Sequence, residues 1–338
     1  MLAVGRASRN GLLPLRKIGG STLPSLVICV PTYRRNAELA ELLAALQAQA
    51  PPDGAEVSIL VIDNNPGAEA EPVVHEAQTE AFRYPVAYLH ESAPGVTFVR
   101  NRALKASEAH DFLAFIDDDE LPAPGWIAAL WARRQDTGAA VVFGDVIARY
   151  EDGAPDWVIQ GDFHSKRVLA DAPRDKPGAT DNCLIDLSVV RRHGLRFDPA
   201  LSLIGGEDTL FFDALLQAGE RFADAADAVT HERVPAGRAT LGWLTTRWRR
   251  TGLTDAMMIA RRRGGGRLAG ARAVLDGAIR IVAGGGLAAL AWCLSGGKLS
   301  PAVARRLYTF ERGRGMLDFA VGRQVQEYAR APVSEAAA

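Results

Sequence analysis

Apolar, strand-like runs alternating with amphipathic helical segments constrain the fold of this chain more than any other feature. The runs Leu26–Val30, Val57–Ile62 and Phe112–Ile116 are separated by segments with helical periodicity. Strands that alternate with helices in this way imply a mainly parallel sheet with helices on its faces. The predicted fold class is therefore α/β, and ligands are expected beyond the carboxyl ends of the strands.

The third run ends abruptly on a cluster of carboxylates, Asp117-Asp118-Asp119-Glu120. Carboxylate oxygens at a strand end are hard ligands suited to Mg²⁺ or Mn²⁺, and a solvated acidic turn is the alternative interpretation. If the chain is extended here, alternation places Asp117 and Asp119 on one side and Asp118 on the other. Asp118 is then expected to matter least.

Composition excludes several classes of protein. The 338 residues are 48% hydrophobic, which indicates a globular chain, and 39 Lys and Arg nearly balance 40 Asp and Glu, so a nucleic-acid partner is not expected. The three cysteines are widely spaced and form no CxxC pair, which fits a reducing cytoplasm. The N-terminal residues lack an apolar core of signal-peptide length, so export is not expected.

Three regions are predicted along the chain. Residues 1–24 form a loosely ordered basic extension, residues 25–235 the α/β domain, and residues 236–338 a helical, Arg-rich tail. The arginines concentrated in residues 247–272 could face anionic lipid or phosphate. Residues 281–297 carry no charge but contain five glycines, so an interfacial or re-entrant segment is favoured over a full membrane crossing, with a buried core helix as the alternative.

Several short elements then occur in a recognisable order. They are Pro31-Thr32-Tyr33-Arg34-Arg35, Asp63-Asn64-Asn65, Val99–Leu104, Phe115–Asp119, Asp181-Asn182, Phe197-Asp198-Pro199 and Gly205-Gly206-Glu207-Asp208. Together they resemble the family-2 glycosyltransferases of the GT-A fold, over about residues 25–235. The resemblance implies a GT-A fold with a Rossmann-like nucleotide-binding half and a helical C-terminal extension.

The resemblance also implies a binding site for a nucleotide-sugar donor, expected to be UDP-linked. It assigns nucleotide contacts to Asp63 and to the loop containing Pro31, Thr32, Tyr33 and Arg35. A carboxylate can accept the N3–H of uracil, but an Asx turn is the competing role for Asp63. Arg100 would reach the diphosphate or the acidic cluster, with a structural ion pair as the alternative.

In the resemblance, Asp117 and Asp119 match the DxD motif. The last carboxylate usually binds the metal, Mn²⁺ or Mg²⁺, and the first reaches ribose or sugar; Asp118 belongs to the same donor-binding segment. His231 lies where many related enzymes place a third metal ligand, although a lone histidine is often only structural. The metal would assist departure of the nucleoside diphosphate.

Glu207-Asp208 matches the element that supplies the catalytic base. Asp208 is the predicted base that takes a proton from the acceptor hydroxyl in an inverting displacement, and Glu207 is the second candidate. The competing interpretation is that both acids only cap a helix, where the dipole favours negative charge.

Within the family, the Arg-rich tail and the segment Ala93–Val96 look most like bacterial exopolysaccharide enzymes of the succinoglycan type. That resemblance implies a lipid-linked oligosaccharide acceptor, peripheral contact with the inner membrane and a location at its cytoplasmic face. The alternatives are a non-catalytic nucleotide-sugar or carbohydrate-binding module and a sugar nucleotidyltransferase. A nicotinamide dehydrogenase is disfavoured because the first strand is followed by no Gly-x-Gly-x-x-Gly.

Overall fold

The computed structural model describes residues 22–79, 81–168, 174–202, 204–264 and 267–323. Most of the predicted basic extension therefore lies outside the described residues. The chain divides into two compact units. The sheet unit contains the chain up to Ile147 together with Ser165–Phe197 and Ala218–Arg233, and the helical unit contains Ala148–His164, Asp198–Gln217 and the chain from Val234 onwards.

The described strands form one mixed sheet in the order β3-β2-β1-β4-β7-β6-β8-β5. They are β1 Ser25–Thr32, β2 Glu56–Asp63, β3 Val86–His90, β4 Phe112–Ile116, β5 Glu120–Pro122, β6 Val141–Tyr150, β7 Asn182–Asp186 and β8 Phe222–Val234. The pairs β1–β2, β1–β4 and β2–β3 are parallel, as predicted from the alternation of strands and helices. The pairs β4–β7, β6–β7 and β5–β8 are antiparallel, so the parallel arrangement covers only half of the sheet.

Helices connect these strands and make up most of the helical unit. They are α1 Asn36–Ala48, α2 Glu71–Ala77, α3 Val96–Ala106, α4 Trp126–Thr137, α5 Asp156–Gly161, α6 Leu187–His193, α7 Glu207–Gln217, α8 Leu241–Arg262, α9 Arg267–Leu294 and α10 Pro301–Ala320. A 3₁₀ turn spans Pro199–Leu201. The glycines of the charge-free segment do not interrupt α9, which is continuous to Leu294.

The core of the sheet unit explains why the strand runs are apolar throughout. Leu26, Ile28 and Val30 of β1 face the same cluster as Leu39 and Leu42 of α1, and all five are fully buried. Burying one such side chain contributes about 1.5–3 kcal/mol to the free energy of unfolding. Strands covered by helices need apolar residues on both faces, which produces continuous rather than alternating runs.

Many arginines of the C-terminal region form ion pairs within the helical unit. In the described part of residues 247–272, Arg249 is paired with Asp318, Arg261 with Asp198, Arg262 with Asp213 and Arg272 with Asp276. The positive excess that the sequence suggested for lipid or phosphate binding is therefore partly neutralised inside the unit.

Candidate active site

The carboxyl ends of three parallel strands meet at one edge of the sheet. β1 pairs with β2 so that Thr32 lies opposite Asp63, and β1 pairs with β4, which ends at Ile116 just before the acidic cluster. The antiparallel strand β7 begins at the same edge, because Asn182 lies opposite Ile116. The topology therefore brings the predicted nucleotide-binding loop and the acidic cluster of the sheet unit to one place.

The acidic cluster forms a turn rather than an extended segment. The backbone N–H of Glu120 donates to the Asp117 carbonyl oxygen at 3.1 Å, and Glu120 then begins the short strand β5. The alternation argument requires an extended chain, so it does not apply to Asp117–Asp119. Asp118 consequently does not stand apart from its neighbours as the sequence suggested.

Asp118 is buried and holds the loop that follows β1. Its Oδ2 accepts from the Thr32 hydroxyl at 2.9 Å and from the Tyr33 N–H at 3.3 Å, and its Oδ1 accepts from Arg35 Nη1 at 2.6 Å. Burial raises the pKa of Asp118 to about 6, although Arg35 opposes that rise. The Asp118 carboxylate therefore contacts the last residue of β1 and two residues of the loop after it, and the prediction that Asp118 matters least for function stays untested.

Arg35 joins the loop to a second acid of the cluster, since the same Nη1 lies 2.8 Å from Asp119 Oδ2. Burial alone would lower the pKa of Arg35, but Asp118 and Asp119 together raise it above its ordinary value. The preceding residue, Arg34, has a φ of 56°, in the left-handed region that non-glycine residues seldom occupy. Ion pairs and a constrained backbone conformation therefore both hold this loop.

Asp117 and Glu120 lie in a crowded electrostatic environment. Burial raises the pKa of Asp117, with Arg100 and Lys166 opposing the rise and Asp119 and Glu232 adding to it. Burial also raises the pKa of Glu120 well above its usual range, and Asp117 contributes to that increase. Several carboxyl groups at the carboxyl end of β4 therefore compete for few positive charges.

Lys166 is a positive charge that the sequence did not single out. A β-bridge between Val146 and Lys166 brings it from the long loop after β6 to the cluster, where its Nζ forms an ion pair with Asp181. Lys166 also opposes the rise in pKa of Asp117 and Glu120. The only sequence signal was the length of the 150–181 loop, which is typical of functional segments.

His231 lies on β8, opposite Leu121 of β5, and the next residue, Glu232, lies opposite Glu120. Directly opposed residues of an antiparallel pair point to the same side, so Glu232 shares a side with buried Glu120 and His231 shares a side with the half-exposed Leu121. Glu232 also acts on the pKa of Asp117. The structure favours Glu232 over His231 as the β8 residue that approaches the cluster, and the ligand role of His231 stays a prediction.

The carboxylate set can be compared with the needs of a divalent cation. Among the described residues, no group of three His, Cys, Asp or Glu side chains is arranged to hold a metal ion. Mg²⁺ bound with a nucleotide substrate commonly takes only one or two protein carboxylates and completes its coordination with phosphate and water. Asp117 and Asp119, on one turn and crowded by negative charge, fit that mode of binding.

Asp63 is fully buried at the end of β2. Its side chain forms an Asx turn, which the sequence offered as the alternative to a contact with the nucleotide. Its Oδ1 accepts from the Asn65 N–H at 2.7 Å, and its Oδ2 accepts from the Ala70 N–H at 2.9 Å and the Tyr88 hydroxyl at 3.1 Å. These bonds shape the loop after β2. A direct contact between Asp63 and a nucleotide base stays a prediction.

The Arg100-Asn101 pair lies in α3 and contacts Phe197. Asn101 Nδ2 donates to the Phe197 carbonyl at 2.8 Å and Asn101 Oδ1 accepts from the Phe197 N–H at 3.0 Å, while the Arg100 guanidinium lies 5.8 Å from the Phe197 ring centre. Arg100 is buried and acts on the pKa of Asp117. The structure therefore places Arg100 close to the acidic cluster. A contact between Arg100 and a diphosphate stays a prediction.

Glu207 and Asp208 begin α7 in the helical unit. Glu207 is buried and Asp208 is partly exposed, with its Oδ1 accepting from the Thr209 N–H at 2.6 Å. The preceding Gly205 and Gly206 have φ values of 82° and 86°, so both positions favour glycine. The sequence did not show how this element is supported.

Helix α8 supplies that support within the helical unit. A Cβ at Gly205 would collide with the Arg250 guanidinium, and one at Gly206 would collide with the Thr254 side chain. Further along α7, Arg262 Nε donates to buried Asp213 at 2.9 Å. The glycine pair is therefore required both by backbone conformation and by the close approach of α8.

Comparisons with known proteins agree with these features. Residues 27–194 match the family model described as Glycosyl transferase family 2. Over 233 residues the chain is 38% identical to the succinoglycan biosynthesis protein ExoM of Rhizobium meliloti (strain 1021), an alignment that covers 69% of this chain and 74% of ExoM. The chain belongs to glycosyltransferase family 2.

Solved structures resemble this family-2 chain in fold. The mannosyltransferase PcManGT from Pyrobaculum calidifontis, in complex with GDP-Man and Mn²⁺, has a TM-score of 0.58 at 19% identity and covers 88% of this chain and 87% of its own. S. aureus TarS 1-349 in complex with UDP-GlcNAc has a TM-score of 0.50 at 15% identity, with coverages of 88% and 92%. These similarities confirm the predicted α/β fold of the GT-A type with a helical C-terminal region.

Proposed function

We propose that this chain is a metal-dependent, inverting glycosyltransferase that transfers a hexose from a UDP-sugar to a hydroxyl group of a lipid-linked glycan in exopolysaccharide synthesis. The observation that carries the proposal is the arrangement at the strand ends of the sheet unit. There Arg35 of the β1 loop forms ion pairs with Asp118 and Asp119 of the acidic turn, and Arg100 and Lys166 interact electrostatically with Asp117. That arrangement suits a ligand that combines a diphosphate with a divalent cation.

On the donor side, the β1 loop that Asp118 holds would pack against the nucleotide, with Pro31, Thr32 and Tyr33 at its start. Asp119 and Asp117 would hold Mn²⁺ or Mg²⁺, which when bound neutralises charge on the diphosphate. Arg100 and Lys166 bring positive charge to the same acidic turn. The preference for UDP rests on the family resemblance, because the two structural neighbours described above contain GDP-Man and UDP-GlcNAc.

On the acceptor side, Asp208 is the proposed base. As the acceptor oxygen forms its bond to the anomeric carbon, the hydroxyl proton passes to the Asp208 carboxylate. The bond from that carbon to the phosphate oxygen breaks, and its electron pair leaves with the nucleoside diphosphate. The support for this role is the resemblance of Glu207-Asp208 to the family's catalytic element and the position of Asp208, partly exposed at the start of α7. Buried Glu207 is the second candidate.

The proposed acceptor and location follow from the similarity to ExoM, whose name assigns it to succinoglycan biosynthesis. Polymers of that kind are assembled on lipid carriers, so a lipid-linked oligosaccharide is the proposed acceptor. Peripheral contact with the inner membrane at its cytoplasmic face is the corresponding location. The described residues contain one helix that is long and apolar enough to cross a membrane, judged by length and composition.

The test is release of nucleoside diphosphate from a panel of UDP- and GDP-sugars, with and without Mn²⁺, Mg²⁺ and chelator. We expect release from one UDP-sugar that requires the metal and falls at least about 10²-fold in Asp119→Asn. Asp152→Asn, an exposed acid outside the acidic cluster, is the matched control. Release that ignores the chelator and survives Asp119→Asn would refute metal dependence, and binding without release from any sugar would favour a non-catalytic module.

A further inference from the structure

Helix α9 packs its small residues inward. Ala273 and Ala288 are buried, and Gly277 and Gly284 between them lie against the backbone of α10. A Cβ at Gly277 would lie 2.9 Å from the Gly313 carbonyl oxygen, and a Cβ at Gly284 would lie 2.6 Å from the Phe310 nitrogen. Small residues allow two helix backbones to approach this closely, an arrangement frequent between helices in membranes.

The large apolar residues of α9 point outward instead. The apolar face of α9 is defined by five exposed side chains: Ile279 at 57%, Val282 at 76%, Leu287 at 45%, Leu290 at 56% and Leu294 at 80%. A surface helix of a protein surrounded by water shows the reverse pattern, with large apolar residues buried and polar residues outside. Single exposed leucines are common, but a continuous apolar face four turns long indicates an interaction surface.

Full membrane crossing by α9 conflicts with its packing against α10. The segment Gly270–Leu294 has 25 residues and contains an 18-residue stretch with a mean hydropathy of 1.6, so it is long enough to span. The glycine contacts at Gly277 and Gly284 show that α10 runs alongside it in the opposite direction. A crossing α9 would carry the charged residues of α10 into the hydrocarbon, which are Arg305, Arg306, Glu311, Arg312, Arg314 and Asp318.

Each charge placed at the centre of a bilayer costs roughly 2.5–3.5 kcal/mol even on the most permissive scale. Two of these α10 residues are also tied to α8, through Arg249 with Asp318 and Arg312 with Asp255, so moving α10 into the hydrocarbon together with α9 would also bury or break these partly buried ion pairs. The orientation that keeps all these charges in water places α9 parallel to the membrane surface.

Charges near the end of α9 indicate which surface it fits. Lys298 directly follows the charge-free segment 281–297, Arg305 and Arg306 lie in the second turn of α10, and all three are exposed. Each Lys or Arg close to an anionic membrane contributes about 1 kcal/mol to binding. A second copy of this chain would bring the same cations to the contact, whereas anionic headgroups complement them.

We propose that the apolar face of α9 inserts in the plane of an anionic lipid bilayer, with α10 covering its opposite side. The inference rests on the proposed function, because it supplies the surface from which a lipid-linked acceptor would be reached. Its physical basis, however, is the packing of α9 alone. The two can therefore fail separately.

The first experiment measures co-sedimentation of the full chain with vesicles of phosphatidylcholine containing 30% phosphatidylglycerol or none. We expect binding to the anionic vesicles that weakens with salt. The double variant Val282→Gln, Leu290→Gln should bind at least about 10-fold more weakly, because two side chains of the face lose apolar area. The matched control is Ile159→Gln, Val321→Gln, which changes two exposed apolar residues outside α9 and should bind as the unchanged chain does.

The second experiment uses the native thiols to determine depth. Cys293 is exposed on α9, whereas Cys29 and Cys183 are buried, so a fluorophore should label Cys293 selectively. Brominated lipids quench the fluorophore according to its depth in the bilayer. The quenching of the label at Cys293 is compared with that of labels at Ile279→Cys and Leu290→Cys, each introduced into a Cys293→Ser background. An in-plane helix gives the same shallow depth at all three positions, and a spanning helix gives depths that differ across the bilayer.

Failure of the unchanged chain to bind anionic vesicles would overturn the proposal. Labels at clearly different depths would also overturn it. If vesicle binding is absent and the chain instead forms a dimer that the α9 double variant dissociates, the apolar face of α9 is a protein interface. Nucleoside diphosphate release is measured on the same variants. Absence of release from every variant would refute the proposed function and leave the vesicle result standing. Normal release without vesicle binding would refute only the membrane proposal.

Discussion

Replacement of Asp118 tests whether the acidic turn holds the β1 loop. Asp118→Ala removes three acceptor contacts, from Thr32 at 2.9 Å, Tyr33 at 3.3 Å and Arg35 at 2.6 Å. A neutral bond of this kind contributes about 0.5–1.5 kcal/mol and a charge-assisted one about 1.5–3 kcal/mol. Arg35 keeps Asp119 at 2.8 Å, so its charge is not stranded, and the cost of burying the Asp118 charge disappears.

These opposing contributions leave an expected destabilisation of about 2–3 kcal/mol for Asp118→Ala. Asp118→Asn keeps one oxygen to accept from Thr32 and Tyr33 and removes a charge whose burial is unfavourable, so it should cost about 1 kcal/mol. Urea unfolding measures both values from the midpoint at constant slope. The affinity for the nucleotide-sugar donor should fall more in Asp118→Ala than in Asp118→Asn, because Asp118→Ala removes more of the contacts that hold the β1 loop.

The matched control is Asp152→Ala, which removes an exposed carboxylate and should leave stability within about 0.5 kcal/mol. If Asp118→Ala unfolds at the same urea concentration as the unchanged chain and binds donor equally well, the loop is held by other interactions. The expectation that Asp118 matters least would then be supported.

Three further predictions concern other parts of the chain. Asp208→Asn should lower the rate of transfer by about 10²-fold or more while donor binding, measured by titration calorimetry, stays unchanged. Gly206→Ala should be destabilised and lose activity, because its φ of 86° and the Thr254 side chain leave no room for a Cβ, and a circular dichroism melt checks the first part. Asp186 caps α6 and bonds Arg134 at 2.9 Å, and despite burial its pKa is lowered by Ser188 and Arg134. Asp186→Ala should therefore cost about 1–2 kcal/mol at pH 7, and the difference should shrink as the pH falls below about 4, where the carboxylate becomes protonated.

Outcomes that contradict these predictions are equally specific. Transfer by Asp208→Asn at the normal rate would move the base to another residue, with Glu207→Gln as the next variant. An Asp186→Ala difference that grows as the pH falls would show that the ionised carboxylate is not the stabilising form. A fully active Gly206→Ala would mean that α8 can shift away from α7.

The strands and most helices could be predicted because their signals are local. The run Phe112–Ile116 ends at the first carboxylate in both sequence and structure, since a buried strand cannot continue into charged residues. The element Val99–Leu104 lies within the helix Val96–Ala106, which connects two of these strands. The meeting of β1, β2 and β4 at one edge also followed from the sequence, because parallel strands place their carboxyl ends together.

Residues brought in by long-range pairing could not be predicted. Lys166 reaches the acidic turn through a bridge to Val146, and Glu232 reaches it through the pairing of β5 with β8. Neither contact leaves a periodic trace in the sequence. The alternation argument for Asp118 failed for a local reason: a single backbone hydrogen bond turns the chain at Asp117, and alternation does not hold within a turn.

The change in composition near residue 235 suggested that everything after it is an appendage. The structure groups Gly205, Gly206 and α7 with that region instead, because Arg250 and Thr254 of α8 fill the space next to the two glycines. The proposed base and the apolar face of α9 thus belong to the same compact unit. An enzyme that takes a lipid-linked acceptor must fix the height of its base above the membrane, since the acceptor hydroxyl is tethered at a set distance from the bilayer. Placing the proposed base and the proposed membrane-binding helix in one compact unit would meet that requirement.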